Sequence, residues 1–354
     1  MTDRRNSKLG ILNRRQVLAG TATVAATGLI GSPALASKGS ITVANWGGDW
    51  NDRTVRFFEA PIVEKAGYTV VRDLAAIDQR RTKMLAGRRL PRASFDVTHF
   101  DDTDAFFMNS QGLVEELSEK EIPNLADTHE QLRAPYFIPW QFSGWVIGYN
   151  PDKVKEPPKK FADLWSSKYE GMIGLTDTHW YHHMEMAALV NGGDLTNIAN
   201  IKSALLDFKK ATKPRLYPQH LQQAQALKNE EVVIGTNYKS RLIQFGTEGV
   251  KTLPVFPEEG TVTVTFGAVI PKKAPNKEGA LFYANALLDP TGMAGLAQQS
   301  FYAPANKKAV LPPDASKQIE FTEEERKKLR ARRNDFWAEN RAQLLEWWNK
   351  EFKA

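Results

Sequence analysis

Three histidines and a tyrosine crowd into residues 179–183, as His179, Tyr181, His182 and His183, with Glu185 just beyond. The stretch 179–190 has helical spacing, and on a helix His179 and His183 share a face one turn apart, the separation that zinc and iron sites use. One carboxylate and no cysteine make a thin ligand set, so the competing reading is of helix-start histidines that touch an anionic ligand or solvent. Asp101 and Asp102 close the β-rich run 95–100. They are placed either to meet a cationic group or to cap the next helix, where Asp is favoured. Tyr238 is followed by Lys239, Ser240 and Arg241. A guanidinium beside an aromatic ring can grip a carboxylate or phosphonate through two parallel N–H donors. On one extended segment, however, Lys239 and Arg241 would share a face that could belong to solvent. In the turn Asn45-Trp46-Gly47-Gly48-Asp49-Trp50, Trp46 and Asp49 are candidate ligand contacts and Trp50 reads as core.

These groups cluster where strands end. Residues 41–44 form a strand, followed by the glycine turn and a helix over 52–65; 68–71 and 95–100 are further strands, with 82–85 helical between them. Strands at 145–149, 172–175 and 232–235 alternate with helical patterns, and 262–270 is a long alternating strand. Such alternation implies βαβ units on mostly parallel sheets. Crossings near 140–146 and 262–272 suggest two α/β lobes around a cleft, lobe 1 from 37–140 with 266–308 and lobe 2 from 141–265 with 309–354. Ligands of open α/β sheets settle beyond the carboxyl ends of strands, where helix starts favour anions. That singles out residues 45–50, 101–103, 176–181 and 236–241. Thr322 to Glu325 is a capping box, and a long terminal helix is expected after it, its Trp337, Trp347 and Trp348 packing on a lobe or lying on a membrane surface.

The chain has 354 residues, no cysteine and a formal charge of +6. Its first 36 residues carry Arg4, Arg5, Lys8, Arg14 and Arg15 against Asp3, then an apolar stretch and Ala34-Leu35-Ala36. That layout is an export signal, with Arg14-Arg15 resembling a twin-arginine address and Ser37 as first mature residue. The apolar stretch falls short of the ~20 residues of a spanning helix. Removing the leader lowers the charge to +2, which argues against nucleic acid. Without cysteine, a lipid-modified N-terminus and disulfides are excluded.

Several pieces of the remaining chain, in order, resemble the periplasmic substrate-binding proteins of ABC importers, specifically the spermidine/putrescine-binding type. They are Val43-Ala44-Asn45-Trp46-Gly47-Gly48, Phe95-Asp96-Val97 with Gly112-Leu113-Val114, Ile147-Gly148-Tyr149-Asn150, Phe161-Ala162-Asp163-Leu164-Trp165 with Lys168-Tyr169-Glu170-Gly171, the segment 270–280, Leu287-Leu288-Asp289-Pro290 and Tyr302-Ala303-Pro304-Ala305-Asn306. The resemblance implies the two-lobed α/β periplasmic-binding fold of type II, hinge closure on one solute, and delivery to a membrane permease and its ATPase. It also implies an aromatic box at Trp46, Tyr238 and Tyr302. A family acidic pair falls on Thr178 and Tyr181, leaving Asp177 nearby, another acid falls near Phe266, and a family tyrosine falls on Thr103. Polyamines need carboxylates for their ammonium groups and aromatic faces for their methylenes. Acids at Asp101 and Asp102 facing bases at Lys239 and Arg241 suit a zwitterion instead, such as an amino-acid derivative or opine-like conjugate. The expected contacts are Trp46, Asp101 and Tyr302 from lobe 1 with Asp177, Tyr238 and Arg241 from lobe 2. Arg80, Arg81, Arg88, Arg89 and Arg92 read as a solvated face, with docking to a permease as the alternative use.

Three function classes follow: a periplasmic solute receptor acting as a monomer without cofactor, an exported enzyme or metal protein built on the His179/His182/His183 cluster or on Asp101 with Asp102 as paired acids, and a sensor that binds without transport. No phosphate loop or nucleophile motif supports catalysis, since the region around Ser143-Gly144 lacks the G-x-S-x-G pattern.

Overall fold

A computed structural model describes residues 38–354, so the export leader read from residues 1–36 lies outside the described residues. The chain opens with β1 (Ser40–Asn45), β2 (Thr69–Leu74) and β3 (Val97–Asp101), which run parallel with β1 in the middle. Next come β4 (Ile138–Tyr149), β5 (Ile173–Thr176), β6 (Arg215–Tyr217) and β7 (Ile234–Tyr238), of which β5 lies between β6 and β7 in a second parallel set. After the short β8 (Leu253–Val255), β9 (Thr261–Val269) returns to the first set and pairs antiparallel with β3. Two-residue strands β10 (Ala303–Pro304) and β11 (Leu329–Arg330) complete the order.

The long strands β4 and β9 join the two lobes. From Ile138 to Gly144 β4 pairs antiparallel with β9, and from Trp145 to Tyr149 it pairs with β7, giving the order β2-β1-β3-β9-β4-β7-β5-β6. A strand that serves two sheets has no solvent face, which is why every residue of β4 up to Gly148 is buried and its sequence lacks polar alternation. One core gathers Ile41, Val43, Phe58, Val97, Trp140 and Tyr283, and another Trp145, Leu175, Trp180, Phe208, Ile234 and Trp348.

The terminal segment departs from the expected single helix. The capping box is present, with Thr322 Oγ1 accepting the Glu325 amide at 3.2 Å and Glu325 Oε2 accepting the Thr322 amide at 2.8 Å. But its helix, Glu323–Lys327, ends there, and β11 lies parallel on β9 before a second helix, Asn334–Trp347, begins. Strand pairing and the burial of Arg332 override the helix propensity of a Lys-, Arg- and Leu-rich stretch. Trp337, Trp347 and Trp348 then pack into the second core. Among the described residues no helix is long and apolar enough to cross a membrane.

Candidate functional site

A cavity of about 470 Å³ opens at the carboxyl ends of β1, β3 and β7, its walls drawn from both lobes. Trp46, Asp49, Trp50, Asp101, Phe266 and Tyr302 form one side, and His179, Tyr181, His220, Tyr238, Arg241 and Gln244 the other.

The turn after β1 is set by its own residues. Gly48 adopts φ 62° and ψ −147°, a conformation essentially closed to side-chain-bearing residues. Asn45 donates from Nδ2 to Thr54 Oγ1 at 3.1 Å and accepts the Trp46 amide at 2.8 Å, which fixes the backbone at the start of the turn. Four aromatic rings follow in edge-to-face contact. Trp46 meets Trp50 at 4.9 Å, and Phe266 lies 5.0 Å from Trp50 and 5.4 Å from Tyr302. Trp50, read as core, therefore lines the cavity, and Phe266 occupies the place where the resemblance puts an acid.

On the opposite side the hydrogen bonds have a definite polarity. Trp337 Nε1 donates to Glu185 Oε1 at 2.9 Å, and Arg332 Nε lies 3.2 Å from the same oxygen. Burial pushes the Glu185 carboxyl up, while the Arg332 guanidinium and the Trp337 indole, the two donors on Oε1, favour its ionised, accepting form. His182 Nδ1, 2.8 Å from Glu185 Oε2, must then carry the proton, so Nε2 accepts the Tyr238 hydroxyl at 3.0 Å. Arg332 Nη2 lies 3.0 and 3.3 Å from the two ring nitrogens, both already committed, and so rests against the ring rather than bonding to either. Burial first, then the Arg332 charge, holds His182 well below the ordinary imidazole range, and the ring is neutral. The Tyr238 hydroxyl is also hydrogen-bonded with that of Tyr181. The chain thus reaches the cavity at two phenolic oxygens, each of which can offer a lone pair to an ammonium.

Arg241 supplies the opposite polarity. It lies not on an extended segment but on the helix Lys239–Thr247, so it and Lys239 point apart. Lys239 reaches the Glu320 carbonyl over the Phe321 ring, away from the cavity. Arg241 Nη1 donates to Gln244 Oε1 at 2.7 Å, while its Nε is buried without a partner. Beside it burial lowers His220 to about 3, and His179 also falls well below the usual range. Neither imidazole competes for an anion with its own charge.

Of the expected site residues, Trp46, Asp49, Asp101, Tyr181, Tyr238, Arg241 and Tyr302 come together around this cavity. Asp49 is exposed and 3.6 Å from Arg53. Asp101 caps the helix Asp102–Ser110, its Oδ1 accepting the Asp104 amide at 2.8 Å, and also borders the cavity. Three expectations of placement need correction. Asp102 turns to a separate cavity of about 300 Å³ beside Thr263 and Thr265, 3.7 Å from Arg332, where burial raises its carboxyl to about 7. Asp177 is taken by the chain end, accepting Trp348 Nε1 at 2.8 Å and pairing with Lys353 at 2.6 Å. Thr178 is exposed and borders a third cavity, of about 730 Å³. Thr103, where the resemblance places a tyrosine, borders that cavity too, and its hydroxyl lies 3.2 Å from Arg332 Nη1.

The histidine cluster does not assemble as a metal site. His183 is buried, its Nε2 donating to the Thr176 carbonyl at 3.0 Å and its ring stacked on Trp348, while His179 faces the cavity. Among the described residues no group of three or more His, Asp or Glu is placed to hold a metal ion. Sequence reasoning missed Arg332 and His220. Arg332 sits in a basic run where nothing local marks one arginine for burial, and His220 is brought over by the fold to lie 4.3 Å, ring to ring, from His179.

With this geometry in view, comparison with known proteins places the chain. Residues 58–323 match the family described as bacterial extracellular solute-binding protein. The spermidine/putrescine-binding periplasmic protein of Escherichia coli (strain K12) is 27% identical over 222 residues, which cover 59% of this chain and 63% of that protein. The match therefore spans less than two thirds of that relative. An ABC transporter structure from Clostridium perfringens superposes with a TM-score of 0.77 at 21% identity, over 88% of this chain and 99% of that one. The Atu4243 GABA receptor does so with 0.76 at 20% identity, over 89% and 98%. The type II two-lobed fold expected from the sequence is the fold of these neighbours, and the chain belongs to the bacterial extracellular solute-binding proteins.

Proposed function

We propose that this chain is an exported, monomeric receptor that feeds an ABC permease and its ATPase, and that its solute is a small zwitterion carrying one amine and one acidic group. The leader in residues 1–36 takes it to the periplasm. Residues 37–140 with 266–308 form lobe 1 and 141–265 with 309–354 lobe 2, and closure of the two on the solute is the state the permease reads. Because a ligand shifts that balance only through contacts it makes better in the closed state, both lobes must touch it. Trp46, Asp49, Asp101 and Tyr302 are the lobe 1 contacts, and Tyr181, Tyr238 and Arg241 those of lobe 2.

The observation that carries the reading is the Arg241 side chain lining the same cavity as Asp101 and the phenols of Tyr181 and Tyr238, the latter bonded to His182. A carboxylate pairs with Arg241, and an ammonium sits between Asp101 and the phenolic oxygens. The E. coli relative is named for spermidine and putrescine and a structural neighbour for GABA. A diamine would leave the Arg241 donor unpaired and bring a second positive charge against it.

Native mass spectrometry of the exported protein identifies the co-purifying solute, and calorimetry with putrescine, spermidine and a panel of amino-acid-like compounds ranks them. Tight binding of either polyamine and of no amino-acid-like compound would sink the assignment. Arg241→Gln is expected to weaken the best zwitterion about tenfold or more, since a hydrogen bond to a charged group contributes ~1.5–3 kcal/mol.

A further inference from the structure

One arginine of the run expected to be a solvated face is not on the surface. Arg80 has no exposed area, and its guanidinium carbon lies 4.1 Å from the centre of the Trp46 ring. Trp46 lines the ligand cavity and Arg80 does not, so the guanidinium lies behind the indole, hidden from the solute by one ring. Its Nη1 donates to the Ala75 carbonyl at 2.9 Å, while Nε and Nη2 are buried without partners. Among the described residues no carboxylate forms an ion pair with it, and Asp104, Asp101 and Asp73 act on it only from a distance. Burial lowers it to about 10, which leaves it a cation at neutral pH.

An indole attracts cations through the negative potential of its faces. Here one face is already occupied. A second cation on the cavity side would stand roughly 8 Å from the first, about one Debye length at physiological salt, with a low-dielectric ring rather than water between them. Asp101, the acid that borders the cavity, also spends part of its field on Arg80 and one oxygen on its helix cap. The cavity therefore has one place for an ammonium, at the phenolic oxygens, and an indole wall that is unfavourable to another.

We propose that Arg80 is a specificity-determining residue: from behind Trp46 its buried charge makes the cleft reject polyammonium solutes, so the indole packs against the uncharged or anionic part of the ligand. This rests on the zwitterion reading above and adds the residue that enforces it against diamines.

Calorimetry with putrescine on wild type, Arg80→Gln and Arg80→Met tests it. Putrescine affinity is expected to rise tenfold or more in both variants. A variant that melts cooperatively near the wild-type temperature yet binds putrescine no better would overturn the inference. If neither variant folds, Trp46→Leu carries the test, because that half-buried side chain can be removed while Arg80 stays. Its preference for glutarate over putrescine should then exceed the wild-type preference at least tenfold, and an unchanged preference refutes the proposal. Micromolar putrescine binding by wild type would overturn this inference and the zwitterion reading together. A gain in Arg80→Gln with no amino-acid-like compound bound by wild type would leave the role of Arg80 standing and remove only the zwitterion.

Discussion

Arg332 and Glu185 each have 2% of their side chain exposed, with 3.2 Å between Nε and Oε1. A buried ion pair gains little over a packed apolar pair, but removing one partner strands a charge in low dielectric. Burial alone would weaken the Arg332 charge, yet Glu185 and Asp102 outweigh it and raise its affinity for the proton. Glu185→Gln is therefore expected to cost about 3–5 kcal/mol in urea unfolding. The same change also strips the acceptor that orients His182, so Tyr238 would lose its defined direction. Tyr238→Phe isolates that second effect. It leaves the ion pair intact, removes the donor to His182 Nε2, and should destabilise by only ~1–3 kcal/mol. Its loss of ligand affinity should therefore exceed its effect on stability.

At the scale of elements, the chain end acts as a strap. β11 lies on β9, the helix Asn334–Trp347 covers the second core, and Asp177 receives Trp348 and Lys353. Gly260 lets the strap lie close. It adopts φ +85°, and a Cβ there would sit 2.4 Å from the Lys328 carbonyl oxygen. Gly260→Ala must push that carbonyl away, and the Thr261 amide, which donates to it at 3.2 Å, loses its partner. A destabilisation of order 1–3 kcal/mol is expected from forcing the left-handed conformation. Hydrogen exchange should report it locally, with faster exchange at Thr261 than at the centre of β4. Equal change at both sites would mean that the strap and the crossover strands unfold together.

At the scale of the whole molecule, all six histidines are held below their ordinary range, chiefly by burial. His183 is lowered to about 4 and His99 to about 3, and both are fully buried. Above an unfolded value near 6.5 neither state is protonated and stability is at its plateau. As pH falls below that value the unfolded chain takes up protons first, and stability is lost until the folded values near 3–4 are reached. By pH 5 each of these two imidazoles should cost about 2 kcal/mol. A melting temperature that drops steadily from pH 7 to pH 5 is the expected result, and a flat profile over that window would contradict it.

What could be read from the chain alone was whatever depends on local pattern. Strand ends at Asn45, Asp101 and Tyr238, the turn at Gly47-Gly48 and the capping box at Thr322 follow from short-range sterics and hydrogen bonding, and they located most of the cavity walls. The short family-like pieces, kept in order over nearly all of the chain after residue 36, carried the fold. Side-chain direction and partnership were not legible, because they are settled by residues far away in sequence. Asp177 looked available for a ligand until Trp348 and Lys353, more than 170 positions later, occupied it. Arg80 and Arg332 looked like ordinary members of basic runs, and only the packing of Trp46 over one and of Glu185, Asp102 and Tyr181 around the other buried them. The sequence by itself determined which atoms stand at the strand ends; the tertiary structure decided which of them are already spent, since a buried charge is defined by its neighbours and not by its position in the chain.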